Sequence, residues 1–154
     1  MEDVEISPDD PSRSEVLALL GRHLSFAREH TPPEDVHALD VDGLLDPSIS
    51  FFSARIAGQL VGVGALKKLD GLRAEIKSMH TAEEARGRGV GRSLLDHLLV
   101  VAREDGFQRV SLETGATGAF APARALYASA GFLECGPFAG YVSGRSSTFM
   151  TLVL

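Results

Sequence analysis

The sequence predicts an α+β domain with a mixed, mostly antiparallel sheet of six to seven strands, flanked by about four helices. Apolar residues recur at helical spacing in the first 30 residues and again after residue 90. Three β-rich runs lie between these stretches, and short strand-like and helical segments alternate in the last third. The chain has 154 residues, 44% hydrophobic and 23% charged, so we expect one globular domain over residues 1–154.

The first two elements are predicted to be helices. Residues 10–12 (Asp-Pro-Ser) are typical of a helix start, and the two prolines after Thr31 end the segment. Apolar side chains recur between these points at spacings of three and four: Val16, Leu17, Leu20, Leu24 and Ala27. A shorter helical stretch is predicted over residues 34–45, before an Asp-Pro pair.

The middle of the chain is predicted to be an antiparallel meander. Residues 49–69 contain two β-rich runs around Ala57-Gly58-Gln59, which is a turn sequence typical of a β-hairpin. A third strand is predicted over residues 73–81.

The last third is predicted to alternate between helices and strands. A helix over residues 90–104 carries a buried apolar stripe, formed by Leu94, Leu95, Leu98, Val101 and Ala102. Gly106 ends this helix. The remaining predicted elements are a strand at 109–113, a helix at 122–130 followed by Gly131, and strands at 132–135 and 148–154.

Composition excludes several classes of function. A net charge of −6 and a pI near 5.3 argue against a nucleic acid or an anionic membrane surface as the main partner. Cys135 is the only cysteine, so neither a disulfide nor a cysteine-based zinc site can form within the chain, and we expect no metal. No apolar run reaches the ~18 residues of a membrane span. We therefore expect a cytoplasmic protein.

A glycine- and arginine-rich segment, residues 86–93 (RGRGVGRS), separates the third predicted strand from the helix at 90–104. The amino terminus of a helix offers unpaired amide groups and a partial positive charge to an anion, and glycines allow a phosphate to approach the backbone. The guanidinium groups of Arg86, Arg88 and Arg92 can grip phosphate oxygens. We call residues 86–93 the cradle, and we expect a phosphate-bearing ligand there.

Counting residues tests the known phosphate-binding motifs. A dinucleotide fingerprint requires glycine at the sixth position from Gly87, where this chain has Arg92. A nucleoside-triphosphate loop requires Gly-Lys-Ser or Gly-Lys-Thr, which the chain lacks. An arginine- and glycine-rich surface turn is the remaining alternative, and the position between a strand and an amphipathic helix argues against it.

Two motifs resemble those of a known family. The pattern Arg-x-x-Gly-x-Gly at Arg86, Gly89 and Gly91 resembles the acetyl-CoA-binding motif of the GNAT acetyltransferases, and the predicted element order matches that family over nearly the whole chain. Residues 122–132 (PARALYASAGF) resemble the family's helix-to-strand segment. The strings EIKSM, SLETG, PARALY and CGPF resemble more narrowly an uncharacterised bacterial branch of the family.

The resemblance implies the GNAT fold, in which the strands at 73–81 and 109–113 splay apart and the pantetheine arm of acetyl-CoA lies in the gap. The implied contacts with acetyl-CoA are Met79, His80, Thr81, Arg86, Gly87, Arg88, Gly89, Val90, Gly91, Arg92, Ser93, Phe120, Ala123 and Tyr127. Phe120 departs from the family pattern, because it stands where the family often has a cofactor-binding asparagine.

Acetyl transfer to an amine requires a base, since a lysine-like amine with a pKa of about 10.4 is almost fully protonated at pH 7. Glu75 is the first candidate, because it lies eleven residues before Arg86, where the histone-acetyltransferase branch of the family has its glutamate. The alternatives are Glu113 and a water chain reached from His80 or His37. Glu75 can also be interpreted as a solvated carboxylate paired with Arg73 or Lys77, which share its face of the strand.

The resemblance also implies the other roles. Tyr127 would protonate the departing thiolate, and the Met79 amide would stabilise the negative charge on the acetyl oxygen. Cys135 is interpreted as packing, so direct transfer is expected. Candidates for acceptor binding are Phe26, His30, His37, Glu113 and Tyr141.

We therefore expect an N-acetyltransferase that uses acetyl-CoA and a primary amine of a small molecule or peptide. The alternative is a non-catalytic acyl-CoA-binding regulatory module. Many members of the family form dimers, so a homodimer is a further candidate.

Overall fold

A computed structural model describes residues 3–32, 40–142 and 144–154 and contains a seven-stranded sheet in the order β1-β2-β3-β4-β5-β7-β6. The strands are β1 (Glu5–Pro8), β2 (Ile49–Ile56), β3 (Gln59–Lys68), β4 (Arg73–Thr81), β5 (Arg109–Gly115), β6 (Leu133–Cys135) and β7 (Ser147–Val153). The helices are α1 (Ser14–His30), α2 (Val41–Leu44), α3 (Val90–Glu104) and α4 (Ala121–Ser129). Short 3₁₀ turns cover Glu83–Ala85 and Gly118–Phe120.

Most predicted elements are confirmed, and β4 and α3 have the predicted bounds. The predicted hairpin is also present, with Ala57 and Gly58 at φ values of 50° and 81° in its turn. The predicted helix at 122–130 begins and ends one residue earlier, as α4. Within the predicted helix at 34–45, residues 41–44 form α2. Residues 33–39 lie outside the described residues.

The sequence did not predict β1. This strand has only four residues and pairs antiparallel with β2 at the edge of the sheet. Ile6 is half-buried, and the residues beside it on β1 are exposed, so the strand has too little apolar alternation to be recognised. Pairing with a longer neighbouring strand, rather than its own composition, stabilises it.

The predicted splay lies between β4 and β5, the only parallel pair in the sheet formed by the described residues. Pairing runs from Arg73 opposite Arg109 to Ile76 opposite Leu112. Beyond these residues β4 continues to Thr81 and β5 to Gly115 without pairing with each other. The two strands therefore open a gap in the sheet, as expected.

The two faces of β4 differ in character. Ala74 and Ile76 pack in a core cluster with apolar residues of α3 and α4. Because side chains alternate along a strand, Glu75 and Lys77 lie on the opposite face. This opposite face carries the polar residues of the candidate site.

Glycines in β3 let α3 approach the sheet closely. A Cβ atom added to Gly62 would lie 2.9 Å from both Val90 Cγ1 and Leu94 Cδ1. The contact fixes the first turns of α3 beside the end of β4, so the cradle lies next to the gap. None of the helices in the described part of the chain is long and apolar enough to span a membrane.

Candidate active site

A cavity of about 500 Å³ lies at the gap, between α1, the cradle, the ends of β4 and β5, and α4. Most residues predicted for the site line it. They are Phe26, Glu75, Met79, His80, Thr81, Arg86, Gly87, Gly89, Val90, Gly91, Arg92, Glu113, Phe120, Ala123 and Tyr127.

Four predicted residues in the described part of the chain are not in the cavity lining. Ser93 donates its amide to the Gly89 carbonyl at 3.0 Å within the first turn of α3, and Arg88 is exposed at the outside of the cradle. The His30 ring packs 4.5 Å from that of Phe26, behind the wall of the cavity. Tyr141 is hydrogen-bonded to Glu75 and Lys77, which line the cavity. His37 lies outside the described residues.

The cradle presents backbone groups rather than side chains. Gly87 and Gly89 have φ values of 77° and 81°, in the left-handed region that favours glycine. Gly89 precedes α3 and makes no side-chain cap, and the first turn of the helix has no acidic residue. An added Cβ at either glycine would meet no atom within 4 Å. The amide groups at the start of α3 are therefore accessible to an anion, which fits a pyrophosphate.

Two arginines of the cradle, Arg86 and Arg92, line the cavity and also contact neighbouring side chains. Arg92 donates to Asp96 at 3.0 Å and to Ser129 at 3.2 Å, which ties α3 to α4. The Arg86 guanidinium lies 5.7 Å from the centre of the Phe26 ring. The guanidinium of Arg92 is thus already hydrogen-bonded within the protein, whereas the amides at the start of α3 are accessible to an anion.

The end of β4 contains a bulge. Val63 pairs with His80 and Ala65 with Lys77, so two residues of β4 stand opposite one of β3, and Ser78 has a φ of 55°. The Ala82 amide donates to Val61 of β3. By the two-residue period of a strand, the backbone groups of Met79 and Thr81 point the other way, into the gap.

Tyr127 lies in the cavity wall on the α4 side, with 7% of its surface exposed. Burial raises the pKa of the Tyr127 phenol to about 12. The hydroxyl is therefore protonated across the neutral range and can donate a hydrogen bond or a proton.

Glu75 belongs to a polar cluster with Lys77 and Tyr141. Glu75 Oε2 accepts hydrogen bonds from Lys77 Nζ at 3.0 Å and from Tyr141 Oη at 2.9 Å. Lys77 Nζ also donates to Tyr141 Oη at 2.6 Å. Burial, followed by the neighbouring Glu75 charge, raises the pKa of the Tyr141 phenol.

The polar cluster corrects one interpretation of Glu75. The pairing with Lys77 is confirmed, but the side chain is not solvated, because only 2% of its surface is exposed. Lys77 was not predicted as a site residue. Its position two residues after Glu75, on the same face of the strand, was the available signal.

Phe120 lies in an aromatic wall with Phe26 and His30. The Phe26 and Phe120 rings meet edge to face at 5.3 Å, which connects α1 to the turn before α4. The Phe120 ring covers Gly115, where an added Cβ atom would overlap it. Phe120 therefore forms apolar wall where the resemblance had implied a hydrogen-bonding asparagine.

His23 and His80 form a buried pair beside this wall. Their Nδ1 atoms lie 3.4 Å apart, so one ring donates a hydrogen bond and the other accepts it. Burial lowers the pKa of each to about 4, and for His80 the nearby positive charges of Arg86 and Arg22 act in the same direction. Both rings are neutral at pH 7. His23 was not predicted, since only the fold brings α1 against β4.

Comparisons with known proteins identify the family of the chain. A model of the acetyltransferase (GNAT) family matches residues 14–132. The uncharacterized N-acetyltransferase YsnE of Bacillus subtilis is 43% identical over 148 residues, covering 96% of this chain and 98% of YsnE. The uncharacterized N-acetyltransferase YedL of Escherichia coli is 42% identical over 149 residues, covering 97% of this chain and 94% of YedL.

The fold is similar to that of a GNAT family acetyltransferase from Elizabethkingia anophelis, whose crystal structure has acetyl-CoA bound. The TM-score is 0.74 at 18% identity, and the match covers 100% of both chains. This structural similarity shows the fold. The match to the family model and the identity with the two bacterial relatives show the family. The chain therefore belongs to the acetyltransferase (GNAT) family and is an enzyme that transfers acetyl groups.

Proposed function

We propose that the protein transfers the acetyl group of acetyl-CoA directly to a primary amine of a small molecule or a peptide, within a single domain over residues 1–154. The observation that carries this proposal is one continuous cavity. It connects the anion-accepting cradle, the gap between β4 and β5, and the side chains of Glu75 and Tyr127.

The cofactor end of the cavity fits acetyl-CoA. The amides at the start of α3 would hold the pyrophosphate, and the backbone groups of Met79 and Thr81 would hold the pantetheine arm in the gap. Acetyl-CoA supplies the acetyl group as a thioester, whose carbon–sulfur bond breaks as the acceptor nitrogen bonds to the carbonyl carbon. The Met79 amide donates to the acetyl oxygen, where negative charge develops.

Glu75 is the proposed base. Both hydrogen bonds from Lys77 and Tyr141 end on Oε2, and Oε1 accepts none from the described residues. The cluster thereby orients the carboxylate, with one oxygen left to take the proton of the acceptor ammonium directly or through water. Glu113, which also lines the cavity, and a water chain from His80 or His37 are the alternatives to be tested beside it.

Tyr127 is the proposed acid. Its phenol is protonated at neutral pH, so it can donate to the sulfur that leaves with the electron pair of the broken bond. The acceptor ammonium loses two protons. The first passes to the base before attack and on to solvent, and the second, lost after attack, reprotonates Tyr127, which has given its own proton to the CoA sulfur.

The test is an acceptor panel of polyamines, amino acids, aminoglycosides and peptides, with release of the CoA thiol as the readout. In the variants Tyr127→Phe and Glu75→Gln we expect kcat to fall by about 100-fold or more, because proton transfer by a positioned side chain contributes roughly 10²–10⁴-fold. Acetyl-CoA affinity, measured by calorimetry, should stay near that of the wild type. Glu134→Gln, which changes an exposed carboxylate on β6, is the matched control.

Acetyl-CoA binding without thiol release from any acceptor would contradict this proposal. A partner protein released by acetyl-CoA would then favour a non-catalytic regulatory module. If Glu75→Gln retains full turnover and Glu113→Gln does not, the base is Glu113.

We also propose a cytoplasmic location and a homodimer. The single cysteine supports a reducing compartment, and Leu133 and Val153, 72% and 66% exposed, supply apolar surface at the β6 edge of the sheet. Fractionation of cells and light scattering of the purified protein test these two statements. A monomer at micromolar concentration would contradict the second.

A further inference from the structure

Glu75 and Lys77 form an ion pair in which both side chains are buried, 2% and 7% exposed, and both line the cavity. A buried ion pair contributes little to stability, because removing two charges from water offsets most of their attraction. Apolar residues would fill the same positions at lower free-energy cost. The pair is therefore a candidate for binding the acceptor that enters the cavity.

Both members of the pair retain hydrogen-bonding capacity. The Lys77 ammonium has three donor hydrogens, of which Glu75 and Tyr141 engage two. Glu75 receives both of its hydrogen bonds on Oε2. Among the described residues, nothing else engages the third Lys77 donor or Glu75 Oε1. A positive donor and a negative acceptor are thus available side by side in one cavity.

We propose that this ion pair recognises an acceptor whose primary amine and carboxylate are attached to the same carbon, which is the arrangement of an α-amino acid. The ammonium group binds Glu75 Oε1, and the carboxylate binds Lys77 Nζ. This inference rests on the proposed function and names the chemical class of its acceptor.

The position along β4 fits such an acceptor. Glu75 and Lys77 precede Met79 by four and two residues on β4, and all three residues line the same cavity. Glu113, on the neighbouring strand, is a second carboxylate at this end of the cavity, and it favours a bound ammonium further. An amine held at Glu75 is therefore at the acetyl end of the cavity, with its carboxylate turned toward Lys77.

The same geometry discriminates against a plain amine. An acceptor without a carboxylate leaves the third Lys77 donor unpaired when it displaces water from the cavity. Sites built to hydrogen-bond a substrate group reject analogues that lack it by factors as large as about 10⁴–10⁵, because the buried polar group is left without a partner. Lys77 is partly satisfied by Glu75 and Tyr141, so a smaller factor, about 100-fold, is expected here.

The experiment compares acceptors that share one carbon skeleton: phenylalanine, phenylalanine methyl ester and phenethylamine, with the same three forms of leucine and of lysine. Thiol release gives kcat/KM for each acceptor, and calorimetry gives its affinity for the protein loaded with CoA. We expect at least one free amino acid to exceed its ester and its decarboxylated amine by about 100-fold in kcat/KM and to bind tighter.

Lys77→Gln tests whether the Lys77 ammonium binds the carboxylate of the acceptor. An amide can still donate to Glu75, and only the charge is lost, so the preference for the free acid should fall to within about threefold. Lys67→Gln is the control. Lys67 lies opposite Glu75 in the register of β3 and β4 but is outside the cavity lining, so this variant should retain the preference for the free acid. If Lys77→Gln does not fold, the comparison of acid, ester and amine in the wild type decides alone.

The outcomes separate this inference from the proposed function. Esters and decarboxylated amines used as well as the free acids would overturn the inference and leave acetyl transfer to amines intact. Binding of free amino acids that is lost in Lys77→Gln, without thiol release in the wild type, would support the inference and contradict the proposed function. Failure of every amino acid both to bind and to react, while other amines react, would overturn the inference.

Discussion

The cradle and the polar cluster are the two ends of one cavity, and they are built in opposite ways. The cradle is a continuous run of eight exposed or half-exposed residues, except for the buried Val90, and its proposed ligand contacts are backbone amides. The polar cluster joins Glu75 to Tyr141, 66 residues away, and its proposed ligand contacts are the buried side chains of Glu75 and Lys77. The first should therefore tolerate side-chain changes that respect its backbone, and the second should depend on the identity of each side chain.

The largest effect on stability is expected from Lys77→Met in the polar cluster. Removing one partner of a buried ion pair costs about 3–5 kcal/mol, because the remaining charge stays buried without compensation. Urea unfolding should show this loss in the free energy of unfolding. The double variant Glu75→Gln, Lys77→Met removes both charges and should recover most of the loss. If the double variant is as unstable as Lys77→Met, the uncompensated charge of Glu75 is not the cause of the loss.

A slightly smaller effect on stability is expected from acidification, through the pair of His23 and His80 beside the aromatic wall. The pKa of His23 is about 4 in the folded protein and 6.5 in the unfolded chain, so between these values the unfolded state binds the extra proton. Stability is complete above pH 6.5 and falls as the pH approaches 4. The difference corresponds to about 3 kcal/mol for this residue.

Unfolding by urea at pH 7 and pH 4.5 measures this loss. The His23→Asn variant keeps a hydrogen-bonding group without a titrating ring, so its stability should fall less between the two pH values. Equal losses in the variant and the wild type would exclude His23 as the cause.

The smallest effect is expected in the cradle, and it separates backbone strain from ligand binding. Gly89 and Gly106 flank α3 with φ values of 81° and 84°, and an added Cβ at either meets no atom within 4 Å. Alanine at each should reduce stability by a similar amount, about 1 kcal/mol. Only Gly89→Ala places a methyl group at the proposed pyrophosphate site, so only this variant should weaken acetyl-CoA binding, by about tenfold in calorimetry. Equal affinities would contradict the assignment of the cradle.

Short-range patterns explain which parts were predictable. The bounds of β4 and α3 follow from apolar periodicity and from the glycines between them, which act over a few residues. Strand β1 was missed because its stabilisation comes from pairing with β2, and four residues of β1 carry no comparable local pattern. Phe120 was identified as a departure from the family motif, but its contact with Phe26 depends on how α1 packs against the gap.

The sequence by itself determined the order of elements after β1, the family and the glycine-rich segment before α3, because these depend on patterns that extend over a few residues. The tertiary structure decided that Glu75 is buried, that Lys77 and Tyr141 hold one of its oxygens, and that His23 meets His80. These contacts join residues 57 to 66 positions apart, except for the Glu75–Lys77 pair. Such pairs form only after the sheet has brought distant segments together, so no local pattern in the chain specifies them.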